Sequence, residues 1–225
     1  MKLQFLVNIN PNSDQSDQTN ELPTETVKLS LLTEVLLSVI GLLLTIFSTF
    51  AEAFITNPPW EWMSKGVYSH SLGITYQIGA VLLTGCLGGK NVGIISQVSY
   101  ILLGLAWLPI FAHGGGWDYW KEPSFGYILG FIPGAWLCGM IAFRSRAKIE
   151  SLALSALLGL GVIHLSGILY LFMLTGLKLS NPPVLTWANL SQAVLNYSIL
   201  ALPGQGILVC MVAVLAFFIR KALFY

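Results

Sequence analysis

Long apolar runs separated by short polar breaks occupy most of the chain after residue 28. Five of these runs cover residues 29–55, 71–87, 92–111, 124–143 and 151–175. A helix needs about 20 predominantly apolar residues to cross the hydrocarbon core of a bilayer. The pattern therefore predicts five membrane-spanning helices in the first 175 residues. The breaks between them contain glycine, proline or clustered charges, which are typical of turns.

The last apolar stretch, residues 187–219, carries no charge and is too long for one upright span. The tetrapeptide Pro203-Gly204-Gln205-Gly206 divides it. We predict a partly embedded segment over residues 188–202 and a sixth span that begins near Gly206. Broken helices of this kind mark binding sites in many transporters. Unpaired backbone N–H groups at residues 204–206 would then face an outer cavity, where they would suit an anion.

Residues 1–28 differ from the rest because they are rich in Asn, Gln, Ser, Thr and Asp. Such a composition predicts a disordered tail. The remaining residues, 29–225, are predicted to form one six-helix, all-α integral membrane domain.

The distribution of basic residues predicts the orientation in the membrane. With six spans, eight of the 11 basic residues fall on the side of both termini and three, Lys65, Lys121 and Lys178, on the other. Lys and Arg accumulate on the cytoplasmic side. We therefore predict a multi-pass protein of the cell (inner) membrane with both termini in the cytoplasm.

Composition supports a membrane protein and excludes several functions. Hydrophobic residues make up 55% and charged residues 9% of the 225 positions, whereas about a quarter of the residues in soluble domains are charged. A net charge of +1 with scattered basic residues argues against nucleic-acid binding. The chain contains no phosphate-binding GxxxxGK[ST] loop. Its cysteines and histidines show no metal-ligand spacing, so we predict no metal, no cofactor and no enzymatic activity.

Two groups of residues carry candidate ligand chemistry. The outer loop at residues 114–123 combines glycines with aromatic rings, including Gly114, Gly115 and Trp117; it either closes over a ligand or anchors the loop at the membrane interface. Uncharged polar side chains within the spans form the second group: Gln77, Tyr100, Tyr127, Asn196 and Gln205. They either bind a neutral polar ligand or join helices to one another. At Gln205, beside the predicted break, we favour ligand binding, and we interpret His164 as a hydrogen-bonded core residue.

Small residues repeat every four positions along the first span, at Gly41, Thr45, Thr49 and Ala53. A ridge of small side chains lets another helix approach closely. The ridge therefore predicts either a docking surface for a partner protein or packing inside the domain.

Three segments resemble motifs of the BioY family, the biotin-binding S components of energy-coupling-factor (ECF) transporters. Residues 73–77, Gly-Ile-Thr-Tyr-Gln, with Leu-Leu-Thr-Gly at 82–85, are similar to the family's P-I-T-x-Q…L-L-x-G. Residues 100–115 resemble its Y-L-L-L-G-x-x-G-L-P-V-F-A-G-G, and residues 123–131 its P-T-G-G-Y-L-L-G-F. The resemblance covers roughly residues 29–224.

The resemblance implies six helices with cytoplasmic termini and capture of biotin, or a related small vitamin, from outside. It also implies that the protein works alone or with a transmembrane T component and paired ATPases, which dock on small-residue ridges of the first helix. Gln205 stands at the acid of the family's P-x-D-x-x-K signature and Leu208 at its lysine. We therefore expect Lys121 to pair with the ligand carboxylate. The alternative is a membrane scaffold that kept the fold but lost the pocket.

Overall fold

The computed structural model describes residues 30–179 and 185–224. The predicted tail at residues 1–28 and the polar break that contains Asn181-Pro182-Pro183 lie outside the described residues. The described chain contains a two-stranded sheet and seven α-helices: α1 (Leu31–Phe50), β1 (Glu52–Thr56), α2 (Trp62–Lys65), β2 (Ser69–Thr75), α3 (Gln77–Ala106), α4 (Phe125–Ala142), α5 (Ile149–Leu177), α6 (Leu190–Val194) and α7 (Leu202–Phe224). Five helical stretches in these ranges have the length and composition to cross a membrane: α1, α3, α4, α5 and Leu190–Leu223.

Helices α4 and α5 confirm the predictions for residues 124–143 and 151–175, and each boundary differs by only one or two residues. Helix α4 tolerates Pro133 in its interior. Proline removes one backbone donor, but neighbouring helices can satisfy the freed groups of a membrane helix. Helix α4 packs against both α3 and α5.

Helix α3 folds back on itself at Gly89, whose backbone is not helical (φ 79°, ψ −172°). The amide nitrogen of Gln77 lies 2.9 Å from the phenol oxygen of Tyr100, 23 residues later. A straight helix would separate these residues by roughly 34 Å. The chain therefore reverses at Gly88–Gly89, as predicted from the sequence, and the two halves of α3 run side by side.

The outer boundaries of the predicted spans at 71–87 and 92–111 are wrong. Residues Ser69–Thr75 form strand β2, and the helix begins only at Gln77. At the other end α3 stops at Ala106, three residues before Pro109. Proline disfavours helical backbone in the residue before it, so the apolar run outlasts the helix.

The first predicted span, 29–55, is also too long, because α1 ends at Phe50. Strand β1 follows and pairs antiparallel with β2, with Phe54 opposite Ser71 and Thr56 opposite Ser69. Asn57 closes the hairpin: its amide donates to the carbonyl of Gly66 at 3.0 Å, and its side-chain oxygen accepts from the backbone N–H of Tyr68 at 3.1 Å. The hydropathy of a short apolar run does not distinguish a strand from a helix. Hydropathy therefore could not separate strand β1 from the end of α1.

The predicted non-helical backbone at residues 203–206 is wrong. Helix α7 already begins at Leu202, and the backbone N–H of Gln205 donates to the carbonyl of Ala201 at 3.0 Å. Pro203 lies in the first turn, where its missing N–H costs no helical hydrogen bond. The irregularity lies one turn earlier, in a π-helix at Leu195–Ile199 that follows α6. Gln205 is therefore held within a regular helix, and its N–H is not free for an anion.

The small-residue ridge of α1 packs inside the domain. Gly41, Thr45 and Thr49 are buried against α3. A side-chain carbon added at Gly41 would lie 2.9 Å from the hydroxyl oxygen of Thr84 and 3.0 Å from that of Ser96. Ala53 is buried in a separate apolar cluster beside β2. In the described residues the ridge therefore packs inside the domain, which is one of the two alternatives that the sequence left open.

Two cysteines meet in the core, where Cys86 of α3 and Cys138 of α4 place their sulfur atoms 3.4 Å apart as free thiols. Both are buried in the core. Cys210 on α7 is exposed. The α7 surface that carries it also exposes Met211 and Val214, as expected of a helix face in contact with lipid.

Candidate ligand-binding site

Four uncharged polar side chains from four different elements meet between α4, α5 and α7. The phenol of Tyr127 lies 2.7 Å from the hydroxyl of Ser198, and that hydroxyl lies 3.1 Å from Nδ1 of His164. On the other side of the ring, Nε2 of His164 lies 2.6 Å from the side-chain oxygen of Gln205. All four residues are buried. We call this chain of hydrogen bonds the Tyr127–Gln205 network.

The π-helix determines where the network forms. Ser198 is the buried residue of this segment, whereas its neighbours Asn196, Tyr197 and Ile199 are exposed. A π-turn carries an extra residue per turn and therefore re-aims a side chain relative to a regular helix. Here it directs the hydroxyl of Ser198 toward α4 and α5, and Gln205 enters from the first turns of α7.

A second polar cluster joins the two halves of α3 to α1. The fully buried phenol of Tyr100 donates to the backbone carbonyl of Ile110 at 2.9 Å and accepts from the amide of Gln77 at 2.9 Å. The hydroxyl of Thr49 lies 3.2 Å away. The sequence placed Gln77 and Tyr100 among the candidate ligand contacts, and the fold brings the two together. The phenol of Tyr100 and the amide nitrogen of Gln77 are both hydrogen-bonded to protein groups.

The outer loop between α3 and α4 closes over an aromatic cluster. Phe111 lies with its ring centre 4.6 Å from that of Tyr119 and 6.4 Å from that of Phe125. Burial raises the pKa of the Tyr119 phenol. The phenol of Tyr170 donates to the carbonyl of Trp120, which ties the loop to α5. The loop is therefore an ordered cover.

The glycines of this loop have distinct roles. Gly114 has a φ of 113°, which L-residues other than glycine rarely adopt, and it bridges back to Phe111. Gly115 packs so tightly that a side-chain carbon there would lie 2.9 Å from the carbonyl oxygen of Gly104. These two residues shape the loop backbone.

The remaining loop candidates lie toward its surface. Trp117 is exposed and, with Leu105 and Trp120, lines an apolar groove of about 280 Å³. Lys121 forms an ion pair with Asp118 at 2.7 Å. A ligand carboxylate at Lys121 would compete with Asp118 for the same ammonium group.

The network lies beneath the loop. Tyr127 lies in the first turn of α4, which directly follows the loop, and its ring centre is 6.0 Å from that of Tyr197 on the π-helix. The structure thus joins two of the residues selected from the sequence, Tyr127 and Gln205, and leaves Asn196 exposed outside the network. His164 and Ser198 complete the network. The sequence placed His164 only in the core and did not single out Ser198.

Comparison with known proteins decides the family. The model of the BioY family matches residues 24–224. The chain belongs to the BioY family. The signature that the sequence resembles in this family ends at Leu208, which here is buried with Ala53 and Ile74 in an apolar cluster. The position of the expected lysine is therefore part of the contact between α7 and the β-hairpin.

Relatives of this BioY chain include proteins with and without an assigned transport role. A protein of Cyanophora paradoxa described as an uncharacterized 21.2 kDa protein in the psbX-ycf33 intergenic region is 28% identical over 152 residues, 68% of this chain and 76% of that protein. The biotin transporter BioY of Thermotoga maritima is 37% identical over 98 residues, 43% of this chain. That match spans 57% of the Thermotoga protein's length.

A solved structure shares the fold. The crystal structure of the S-component for biotin from an ECF-type ABC transporter matches with a TM-score of 0.60 and 20% identity, over 86% of this chain and 95% of that chain. At this identity the match establishes the architecture alone. This BioY chain is thus a multi-pass membrane protein whose described residues are mostly helical, with one small β-hairpin. Its family is a transporter family and not an enzyme family.

Proposed function

We propose that this BioY protein is a membrane capture (S) component that takes up biotin, or a closely related small vitamin, from the outer side of the cell membrane. The observation that carries the proposal is the buried, uncharged Tyr127–Gln205 network beneath an ordered outer loop. Membership of the BioY family and the names of its relatives support the substrate.

The chemistry of the network fits the polar head of biotin. Its cyclic urea is neutral and offers one carbonyl acceptor and two N–H donors. Tyr127, Ser198, His164 and Gln205 provide phenol, hydroxyl, imidazole and amide groups without a formal carboxylate or ammonium charge. A small-molecule site is mostly apolar with a few convergent polar groups of this kind. We place the urea at Gln205 and the apolar sulfur-containing ring of biotin under the outer loop.

The carboxylate end of biotin needs a different partner. We propose Lys121, the loop cation that the sequence selected, although its ion pair with Asp118 must open or be shared. Exposed ion pairs contribute only about 0 to 1 kcal/mol, so exchange of one carboxylate for another changes the affinity little. Gly114, Gly115 and Trp117 form the cover, and Asn196 lies exposed on the π-helix, where it can meet the ligand on entry.

Gln77 and Tyr100 are proposed as second contacts, reached only if the ligand displaces one of their mutual hydrogen bonds. Loss of a protein hydrogen bond is offset where the ligand supplies an equivalent partner. In the structure the Tyr100 phenol is fully buried and hydrogen-bonded to Gln77 and to the carbonyl of Ile110. Contact between the ligand and Tyr100 therefore requires one of these bonds to open.

For topology we propose six membrane-spanning segments with both termini in the cytoplasm. The reversal at Gly89 supports this number because it divides α3 into two antiparallel segments. Phe143 lies 3.5 Å from the position of a side chain at Gly89, and Arg220 donates to the carbonyl of Ala142 at 2.7 Å. The reversal, the end of α4 and the end of α7 thus meet at one end of the domain. Lys90, Arg144, Arg146, Lys148 and Lys221 are also near this end in sequence, as the positive-inside rule favours for a cytoplasmic face.

The sequence contains no phosphate-binding loop, so it offers no ATP site of this kind. We propose that an ECF T component and ATPase subunits power the uptake, or that the protein acts alone without ATP. Co-purification of the tagged protein from its own membranes tests this point: T and ATPase subunits are expected in the eluate if the protein works in an ECF complex.

Binding of radiolabelled biotin to the purified, ligand-depleted protein tests the capture function. Gln205→Ala should weaken binding by about 1 to 3 kcal/mol, the cost of leaving a buried polar group unpaired. Gln192→Ala is the matched control because it removes the same amide from an exposed position of α6, and we expect it to bind as the wild type does. A folded wild-type protein that binds no biotin would overturn the assignment and favour the scaffold hypothesis.

A further inference from the structure

We propose that His164 is a positioning residue that holds the amide of Gln205 with its N–H groups toward the ligand, so that the site accepts a neutral carbonyl group and rejects a cation. This inference rests on the proposed function, because the ligand is taken to bind at Gln205. It concerns a residue in the middle of α5 that approaches Gln205 only through the packing of α5 against α7.

The first step is the proton arrangement along the network. Nε2 of His164 lies 2.6 Å from the side-chain oxygen of Gln205. That oxygen can only accept, so Nε2 carries the proton and donates. In a neutral imidazole the other nitrogen then accepts. The hydroxyl of Ser198, 3.1 Å from Nδ1, donates to it and in turn accepts from the phenol of Tyr127 at 2.7 Å.

The second step is that the ring is neutral. His164 is buried, and its polar neighbours are a hydroxyl and an amide, not a carboxylate. A buried charge without a charged partner is strongly disfavoured. With this proton arrangement, Nε2 of the neutral ring donates a hydrogen bond to Gln205 and cannot accept one from it. The amide cannot rotate by half a turn without placing its own N–H groups against the N–H of the imidazole.

The third step concerns the other end of the amide. With its oxygen bonded to His164, the nitrogen of Gln205 has no hydrogen-bond partner among residues 30–179 and 185–224, although Gln205 is only 5% exposed. Two N–H donors therefore remain for a ligand. They fit the carbonyl oxygen of a urea. They do not fit a guanidinium group, which has donors and no acceptor.

The test compares biotin with 2-iminobiotin, in which a guanidine replaces the urea, at a pH where the guanidine is protonated. The readout is the ratio of the two dissociation constants, measured by competition with radiolabelled biotin. The wild type should favour biotin by at least about tenfold, as expected when a buried donor is left facing a donor. This ratio reports the direction of the amide and not the stability of the fold.

Two amide substitutions at the same position separate positioning from packing. His164→Gln places an N–H donor where Nε2 is and should keep the wild-type ratio. His164→Asn reaches only as far as Nδ1, so it can contact Ser198 but not Gln205. Release of Gln205 then lets its oxygen turn toward the guanidinium, and the ratio should fall at least about fivefold.

Ser198→Ala gives an independent measurement if His164→Asn does not fold. It removes the hydroxyl that fixes the tautomer, so the ratio should fall here too, while Ser191→Ala, an exposed change on α6, should leave it unchanged. Equal ratios in the wild type, His164→Asn and Ser198→Ala would overturn the inference, as would a wild type that favours 2-iminobiotin. A wild type that binds neither compound would instead refute the proposed function, so the two failures are distinguishable.

Discussion

Gly139 is the position at which a single methyl group tests the packing of the helices. It faces the turn of α3, and an added side-chain carbon would lie 2.6 Å from the backbone nitrogen of Lys90 and 2.7 Å from the carbonyl oxygen of Gly89. Ordinary contacts begin at 3.4 Å. The atoms are backbone and cannot rotate away, so Gly139→Ala must separate α4 from the turn by at least about 0.8 Å, the difference between 2.6 and 3.4 Å.

Overpacking of this kind costs about 1 to 3 kcal/mol. Alanine also favours the helix by up to about 1 kcal/mol relative to glycine, which would mask part of the effect. Gly161→Ala on α5 corrects for this gain because nothing lies within 4 Å of its added carbon. The difference in unfolding free energy between the two variants should therefore be about 1 to 3 kcal/mol, with Gly139→Ala the less stable.

Thermal unfolding in detergent, followed by tryptophan fluorescence, measures this difference. For a chain of this size 1 kcal/mol corresponds to about 2 to 4 °C, so the midpoint of Gly139→Ala should lie roughly 2 to 12 °C below that of Gly161→Ala. Equal midpoints would mean that α4 does not press on the Gly89 turn. The contact that supports six membrane-spanning segments would then be wrong.

Two further predictions concern buried phenols. Tyr100→Phe removes the hydrogen bonds to Gln77 and to the carbonyl of Ile110 and should lower the free energy of unfolding by about 1 to 3 kcal/mol. Tyr68→Phe, at an exposed position, is the control. Equal thermal unfolding midpoints for the two variants would contradict the prediction. Burial raises the pKa of Tyr119, so above about pH 10 the folded state holds this proton longer than the unfolded state does. The thermal unfolding midpoint of the wild type should therefore fall as the pH rises above that value, and the midpoint of Tyr119→Phe should fall less. An identical decline in the wild type and in Tyr119→Phe would refute this prediction.

Hydropathy alone correctly predicted those helices that have a polar break at each end. Helices α4 and α5 are of this kind. It failed where an apolar run continues past the end of a helix. The run through residue 55 includes Ala53 and Phe54, which belong to a strand. Whether such residues extend α1 or pair with β2 depends on a partner strand 15 or more residues away, which no local window contains.

Spacing predicted correctly that Gly41, Thr45 and Thr49 form one close-packing face, since positions four apart lie on the same side of a helix. It could not identify the helix that packs there. The answer depends on the reversal at Gly89, which brings Thr84 and Ser96, from the two halves of α3, to the same point of α1. A sequence pattern specifies a face, and only the fold specifies what covers it.

The candidate site shows the same limit at the level of chemistry. Gln205 was predicted from its place near a proline and two glycines, yet its role follows from His164, 41 residues earlier in the chain. Local reasoning rejects Ser166 as a partner of His164, because residues two apart on a helix do not face each other. The actual partner is Ser198, 34 residues later. A neutral histidine, fixed at one nitrogen by a hydroxyl and at the other by an amide, determines which end of that amide meets the ligand. Specificity for a neutral head group is therefore a property of three helical segments packed together and not of any single motif.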